Sequence, residues 1–209
     1  MGCCFSHEDK PEKTPIIDTR PADSQQCVRQ RKVVLLGYAA VGKTAISQQF
    51  VEEKFPVTYY STVDQTLVKR LKVRGEEFHL SVLDTAAQDE CSLFQPQYSI
   101  GTQGYILVYS IAERRSFEIC KTVYDRLHCE VVDAAVVLVG NKIDLEKQRQ
   151  VPTEEAQALA QSWGCPFVEV SAKKKDSVNR IFTMLVDEIL TREEGSARVR
   201  GSWFNKTPR

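Results

Sequence analysis

The sequence predicts an α/β fold: a doubly wound, mostly parallel six-stranded sheet flanked by helices. Three observations carry that prediction. Short β-rich runs alternate with amphipathic helical stretches through the middle of the chain. The runs at 33–36, 106–109 and 136–139 are apolar on both alternating faces, as buried parallel strands are. A glycine-bounded turn, Gly37-Tyr38-Ala39-Ala40-Val41-Gly42-Lys43-Thr44, joins the first such strand to a helix.

The elements follow in order. Residues 32–36 form the first strand, and a helix starts at 43. Residues 66–73 alternate polar and apolar side chains and read as an edge strand; 77–83 follow as its neighbour. Strands at 104–110, 134–140 and 166–170 come next, with helices at 43–53, 115–127, 153–163 and 175–190 in the intervals. Thr153, with Glu154 and Glu155 after Pro152, makes a helix start. In the last helix Val178, Ile181, Phe182, Leu185 and Ile189 fall at three- and four-residue spacing and make one apolar stripe. Ligands are expected beyond the carboxyl ends of the strands.

Length and composition bound the rest. With 209 residues, the chain makes one domain with tails at about 150 residues per domain. Charge is balanced, 28 Lys+Arg against 28 Asp+Glu, which argues against bulk electrostatic binding of nucleic acid. No apolar run reaches the ~18–20 residues needed to span a bilayer. The seven cysteines make no repeated CxxC spacing and no secretory signal precedes them, so a reducing cytosol is expected. By composition, residues 1–29 form a disordered tail, 30–191 the folded domain, and 192–209 a polar, mildly basic flexible tail.

The loop at 37–44 fits GxxxxGK[ST] between strand and helix, the context of a phosphate loop. Its backbone N–H groups turn inward around phosphate oxygens, so Gly37, Ala40, Val41, Gly42, Lys43, Thr44 and Ala45 form the phosphate side of a nucleotide site. Lys43 supplies charge to the β- and γ-phosphates, the Thr44 hydroxyl ligates Mg²⁺, and the helix adds its N-terminal dipole. The fold is thus P-loop NTPase-type. Two later strand ends narrow the base. In Asn141-Lys142-Ile143-Asp144, the Asp144 carboxylate can accept from guanine N1–H and the exocyclic amine, whereas adenine leaves it unpaired. Ser171-Ala172-Lys173 follows the next strand, where a backbone N–H can meet guanine O6. Leu83-Asp84-Thr85-Ala86-Ala87-Gln88 puts Asp84 at a strand end, placed to hold Mg²⁺, and Gln88 where it can position an attacking water.

With these motifs in this order, residues 30–191 resemble a Ras-superfamily small GTPase, most similar to the Rheb branch. Gly37-Tyr38, Gln88-Asp89-Glu90, Gly104-Tyr105-Ile106-Leu107-Val108-Tyr109-Ser110, Ser116-Phe117-Glu118 and 158–163 carry the branch likeness. The resemblance implies a GTP/GDP switch with Mg²⁺, hydrolysing GTP and binding effectors through 59–65 and 85–97, with exchange and activating proteins as further partners. It implies that Phe55 packs edge-on against guanine, that the Lys142 stem lies along the ring, and that Tyr59 folds over the phosphates. Thr62 joins Thr44 on Mg²⁺. From the residues alone, Phe55 also reads as a core aromatic and Tyr59 as an exposed loop tyrosine.

Departures from the family pattern bear on activity. Ala39 and Ala40 stand where Ras relatives often have glycine. Ala87 replaces a near-universal glycine whose N–H is expected to bond the γ-phosphate; alanine loses positive φ at a cost of about 1 kcal/mol or more if that conformation is required. Ser61 stands where relatives commonly carry proline, and Tyr60 and Gln65 alter the effector surface. Slow hydrolysis with weakened coupling is the expectation; a pseudo-GTPase scaffold is the alternative, and a phosphoryl-transfer kinase a distant third.

Met1-Gly2-Cys3-Cys4-Phe5-Ser6 fits the N-myristoylation pattern, with Gly2 acylated and Cys3 and Cys4 available for palmitate. Two lipid signals anchor stably where one does not. The chain ends without a C-a-a-X cysteine, so the anchor of the Ras relatives is expected here at the other end, placing a monomer on the cytoplasmic face of a membrane with a cytosolic pool.

Overall fold

The computed structural model describes residues 29–204, apart from 57, 59, 60, 90, 91 and 93, with side chains described to residue 195. Tyr59, Gly2, Cys3 and Cys4 therefore lie outside the described residues. The strands are β1 (Arg29–Leu36), β2 (Gln65–Val73), β3 (Glu76–Asp84), β4 (Thr102–Ser110), β5 (Ala135–Asn141) and β6 (Phe167–Glu169). They form one six-stranded sheet ordered β2-β3-β1-β4-β5-β6. Only the β2–β3 pair is antiparallel, and β2 lies at the edge, as its alternation predicted.

Among the described residues there are five α-helices: α1 (Lys43–Val51), α2 (Pro96–Ser99), α3 (Arg114–Glu130), α4 (Thr153–Trp163) and α5 (Lys175–Phe204). The sheet's pleat sorts the core into two layers. On β1, Val33 and Leu35 face the layer holding Ile46, Phe50, Phe182 and Leu185, whereas Val34 and Leu36 face the layer holding Phe117, Val123, Ala156 and Ala160. Period-2 alternation of four fully buried residues thus feeds both sides of the sheet. Phe50 of α1 stacks on Phe182 of α5, ring centroids 3.7 Å apart and 13° from parallel. All five residues of the α5 stripe are buried.

Three features differ from the sequence reading. A one-turn helix, α2, and a 3₁₀ segment, Ile143–Gln148, occupy stretches too short to carry a helical period. Helix α5 does not stop near residue 190; it continues through 192–204, where a polar tail was expected. Ion pairs replace the apolar stripe there: Arg31 to Glu193 at 2.8 Å and Arg74 to Glu194 at 3.1 Å. Among the described residues, no helix is long and apolar enough to cross a membrane.

Candidate nucleotide site

The carboxyl ends of β1, β3, β5 and β6 meet at one edge of the sheet, and the motif residues sit there. Between β1 and α1 the chain makes a tight cradle. Gly37 has φ 148°, and a Cβ there would lie 2.2 Å from the Val108 carbonyl oxygen. Gly42 has φ 100°, and a Cβ there would lie 2.3 Å from Asn141 Nδ2. Both positions require glycine, for conformation and for space. Ala40, between them, holds φ 55°, a left-handed conformation that an alanine adopts only at a cost. Gly42 N-caps α1, so the first N–H groups of that helix point toward the cradle unpaired within the helix.

Lys43 is buried within the loop. Its Nζ donates to the carbonyls of Gly37 (2.7 Å) and Tyr38 (2.9 Å). Burial pulls its ammonium pKa down to about 8, against the opposing pull of the Asp84 and Asp64 charges. To such a lysine a phosphate oxygen offers a charge-assisted hydrogen bond.

Thr44 and Thr62 come together from α1 and the segment before β2, their hydroxyl oxygens 2.7 Å apart. Asp84, fully buried at the end of β3, accepts a hydrogen bond from Gln65 Nε2 at 3.3 Å through Oδ2, while its Oδ1 has no hydrogen-bond partner. Burial pushes the Asp84 carboxyl above the ordinary carboxylate range, opposed by the Thr44 and Gln65 side chains and by Lys43. A buried carboxylate oxygen without a partner is costly. Two hydroxyls and this carboxylate form a hard, all-oxygen donor set that fits a divalent cation of the Mg²⁺ type.

Base-side residues are held by a second network. Asn141, at the end of β5, donates from Nδ2 to the Val41 carbonyl (2.8 Å) and accepts from the Ala172 N–H on Oδ1 (3.0 Å). One buried amide therefore ties the phosphate loop to the segment after β6. Lys142 takes φ 70° and turns the chain into the 3₁₀ segment that carries Asp144. Ser171 Oγ donates to Asp144 Oδ1 (2.7 Å) and Lys173 Nζ to Oδ2 (2.6 Å). Burial works to raise the Asp144 pKa, but these hydrogen bonds outweigh it and hold the carboxyl below its ordinary value. It is a committed acceptor at neutral pH.

A cavity of about 1080 Å³ opens over these elements. Ala40, Gly42, Lys43, Thr44 and Ala45 line its phosphate side, Thr62, Ala86 and Ala87 its mouth, and Phe55 and Lys142 its far wall. Phe55 is 39% exposed, which removes the core-aromatic reading. Lys173 Nζ lies 5.9 Å from the centre of the Phe55 ring, which places the Ser171–Lys173 segment beside that wall.

Gln88 stands apart. It is buried, its N–H donates to the Gly37 carbonyl (3.1 Å), and its side chain faces the Tyr98 hydroxyl rather than lining the cavity. Ala87 is exposed at the mouth and is not among the residues with positive φ, so its methyl causes no strain in this conformation. Sequence reasoning missed Asp64, whose carboxylate accepts three hydrogen bonds from 86–98. It lies in the first switch segment, but no motif spacing marks it.

Comparison with known proteins agrees with this geometry. Residues 32–191 match the Ras family. The chain is 42% identical over 164 residues to the GTP-binding protein rhb1 of Schizosaccharomyces pombe, covering 78% of this chain and 89% of that protein. It is 43% identical over 162 residues to the GTP-binding protein Rheb of Homo sapiens, covering 77% and 88%. To the GTPase RhebL1 of Mus musculus it is 43% identical over 173 residues, covering 82% and 94%. A P-loop cradle, a buried Asn141 bridge and an ionised Asp144 at the strand ends, on a chain with these relatives, make it a member of the Ras family: a small GTPase of the Rheb branch.

Proposed function

We propose that the chain is a membrane-anchored GTP/GDP switch that hydrolyses GTP slowly to GDP and phosphate. The observation that carries this reading is the Asn141 bridge, which makes the phosphate cradle and the guanine acceptor one rigid unit. A nucleotide spanning the cavity meets both ends in fixed relation, so little binding energy goes into ordering the site.

Each residue then has a definable task. Backbone N–H groups of 40–45 and the Lys43 ammonium bind phosphate oxygens; on binding, Lys43 exchanges carbonyl partners for an anion. Thr44, Thr62 and Asp84 would hold Mg²⁺, which neutralises charge on the β- and γ-phosphates. Asp144 accepts from guanine, Phe55 and Lys142 flank the ring, and Ser171, Ala172 and Lys173 position Asp144 and present the backbone toward O6. Tyr59 belongs over the phosphates. Gln88 orients an attacking water only after leaving the Tyr98 side of the loop, and this supports slow turnover. Effectors engage 59–65 and 85–97, the segments that flank the γ-phosphate end, and exchange and activating proteins act on the same face. Acyl chains on Gly2, Cys3 and Cys4 hold the protein on the cytoplasmic side of a membrane.

Displacement of a fluorescent GDP analogue tests the core of this reading. GTP and GDP should displace it and ATP should not, and Asp144→Ala should weaken GDP binding by about 100-fold, the loss of two charge-assisted hydrogen bonds. Equal displacement by ATP contradicts the guanine assignment. Binding of no nucleotide leaves the pseudo-GTPase scaffold in its place.

A further inference from the structure

Asp64 makes contacts that neither the sheet nor the nucleotide cradle requires. It sits two residues after Thr62, just ahead of β2. Three donors from across the cavity mouth converge on its carboxylate. The Ala86 backbone N–H donates to Oδ1 at 2.5 Å, and Gln97 Nε2 and the Tyr98 hydroxyl donate to Oδ2 at 2.6 and 3.0 Å. The first fixes the Thr85–Ala86 peptide, one residue ahead of Ala87. The other two fix α2. Tyr98 is itself buried, and its carbonyl accepts from the Tyr105 hydroxyl of β4 at 2.9 Å, so the linkage ends in the core of the sheet. Burial, followed by the Asp64 charge, pushes the Tyr98 phenol above its ordinary range, so it remains a donor.

We propose that Asp64 is a positioning residue that fastens the first switch segment, 62–64, to the second, 85–98, without a γ-phosphate in the linkage. The proposal rests on reading the cavity as a GTP/GDP site. A ligand shifts a conformational equilibrium only by its differential affinity for the two states. A linkage made wholly of the chain's own groups leaves less for a γ-phosphate to change. The two segments therefore stay together with GDP as with GTP, and the effector face of 59–65 and 85–97 is partly assembled in both.

Amide hydrogen exchange of the full chain tests this, in the GDP-loaded, non-hydrolysable-GTP-loaded and nucleotide-free forms. In the unaltered protein, exchange of 62–64 and 85–98 should differ by less than about threefold between the two nucleotides. Asp64→Asn keeps the side chain's size and removes its charge. It should speed exchange about tenfold in both segments of the GDP form, and much less in the triphosphate form, where the γ-phosphate takes over Thr62 and Ala87. Tyr98→Phe should loosen the same segments, and the double variant should add little to Asp64→Asn alone. A merely structural role would speed exchange equally with both nucleotides, and that outcome overturns the proposal. Loss of protection confined to 62–64, or full additivity of the two substitutions, also overturns it. Should Asp64→Asn fail to fold, Gln97→Ala and Tyr98→Phe carry the same comparison. If the chain takes up no guanine nucleotide, the switch reading fails separately. The nucleotide-free form then decides the clasp: linked loosening of both segments supports it, and unlinked loosening refutes it.

Discussion

Asn141 ties two parts of the site together through one side chain. Its amide is buried, and both polar ends are used, one on the phosphate loop and one on the segment after β6. Truncation leaves the Ala172 N–H and the Val41 carbonyl without these partners, each at about 1–3 kcal/mol. Asn141→Ala should therefore lower unfolding free energy by at least about 2 kcal/mol in urea titration, and weaken GDP binding as well. A variant that lost nucleotide affinity with unchanged stability would show that Asn141 touches ligand alone. Much at this scale was legible in the sequence. Gly37, Gly42, Lys43 and Thr44 are dictated by a loop that must bring backbone close to phosphate, and Asp144 by a base that offers two donors. Asp64 was not legible, because its donors lie 22, 33 and 34 residues away with no periodic relation to it. Nor was the placement of Gln88, which depends on how its loop settles against Tyr98. The cost anticipated for Ala87 does not arise in this conformation, since its φ is not positive.

Among the elements, the strands were legible to within two or three residues because burial on both faces leaves an uninterrupted apolar signature. Helix α4 matched its predicted span, Pro152 preceding it and Gly164 closing it in a left-handed turn. Helix α5 outran its prediction because an apolar stripe marks where a helix packs, not where it ends. Past Leu190 the helix is held by charges reaching from β1 and the β2–β3 turn, and such pairs leave no hydrophobic period to read. The α1–α5 contact also makes a prediction. Phe182 is fully buried and stacked on Phe50, so Phe182→Ala should cost about 3–5 kcal/mol of unfolding free energy, measured by denaturant titration. The preference for GDP over ADP should persist in the fraction that remains folded, because Ser171 and Lys173 hold the Asp144 carboxylate. Loss of that preference in the folded fraction would make the α1–α5 layer part of the base site.

For the whole molecule, the sheet brings segments far apart in sequence to the carboxyl ends of its strands, with residues 61–63 and 86–87 lining the cavity there. This arrangement followed from the alternation of strands and helices together with the phosphate loop. The proposed anchor is a separate matter, since residues 1–6 lie outside the described residues. Gly2→Ala should move the protein from the membrane to the soluble fraction on cell fractionation, because Gly2 is the residue that the N-terminal pattern acylates. Retention of that variant on the membrane would refute an anchor built on Gly2.

A guanine-nucleotide switch whose Gln88 faces Tyr98 rather than the cavity should turn over slowly. Single-turnover hydrolysis tests it most directly: the protein is loaded with GTP, Mg²⁺ is added, and GDP is followed over hours. GTP should be bound at the outset and converted steadily at a rate no faster than about 10⁻⁴ s⁻¹, near or below the intrinsic rate of Ras-type GTPases without an activating protein. Conversion well above that rate would contradict the placement of Gln88, and failure to retain GTP at all would contradict the switch itself.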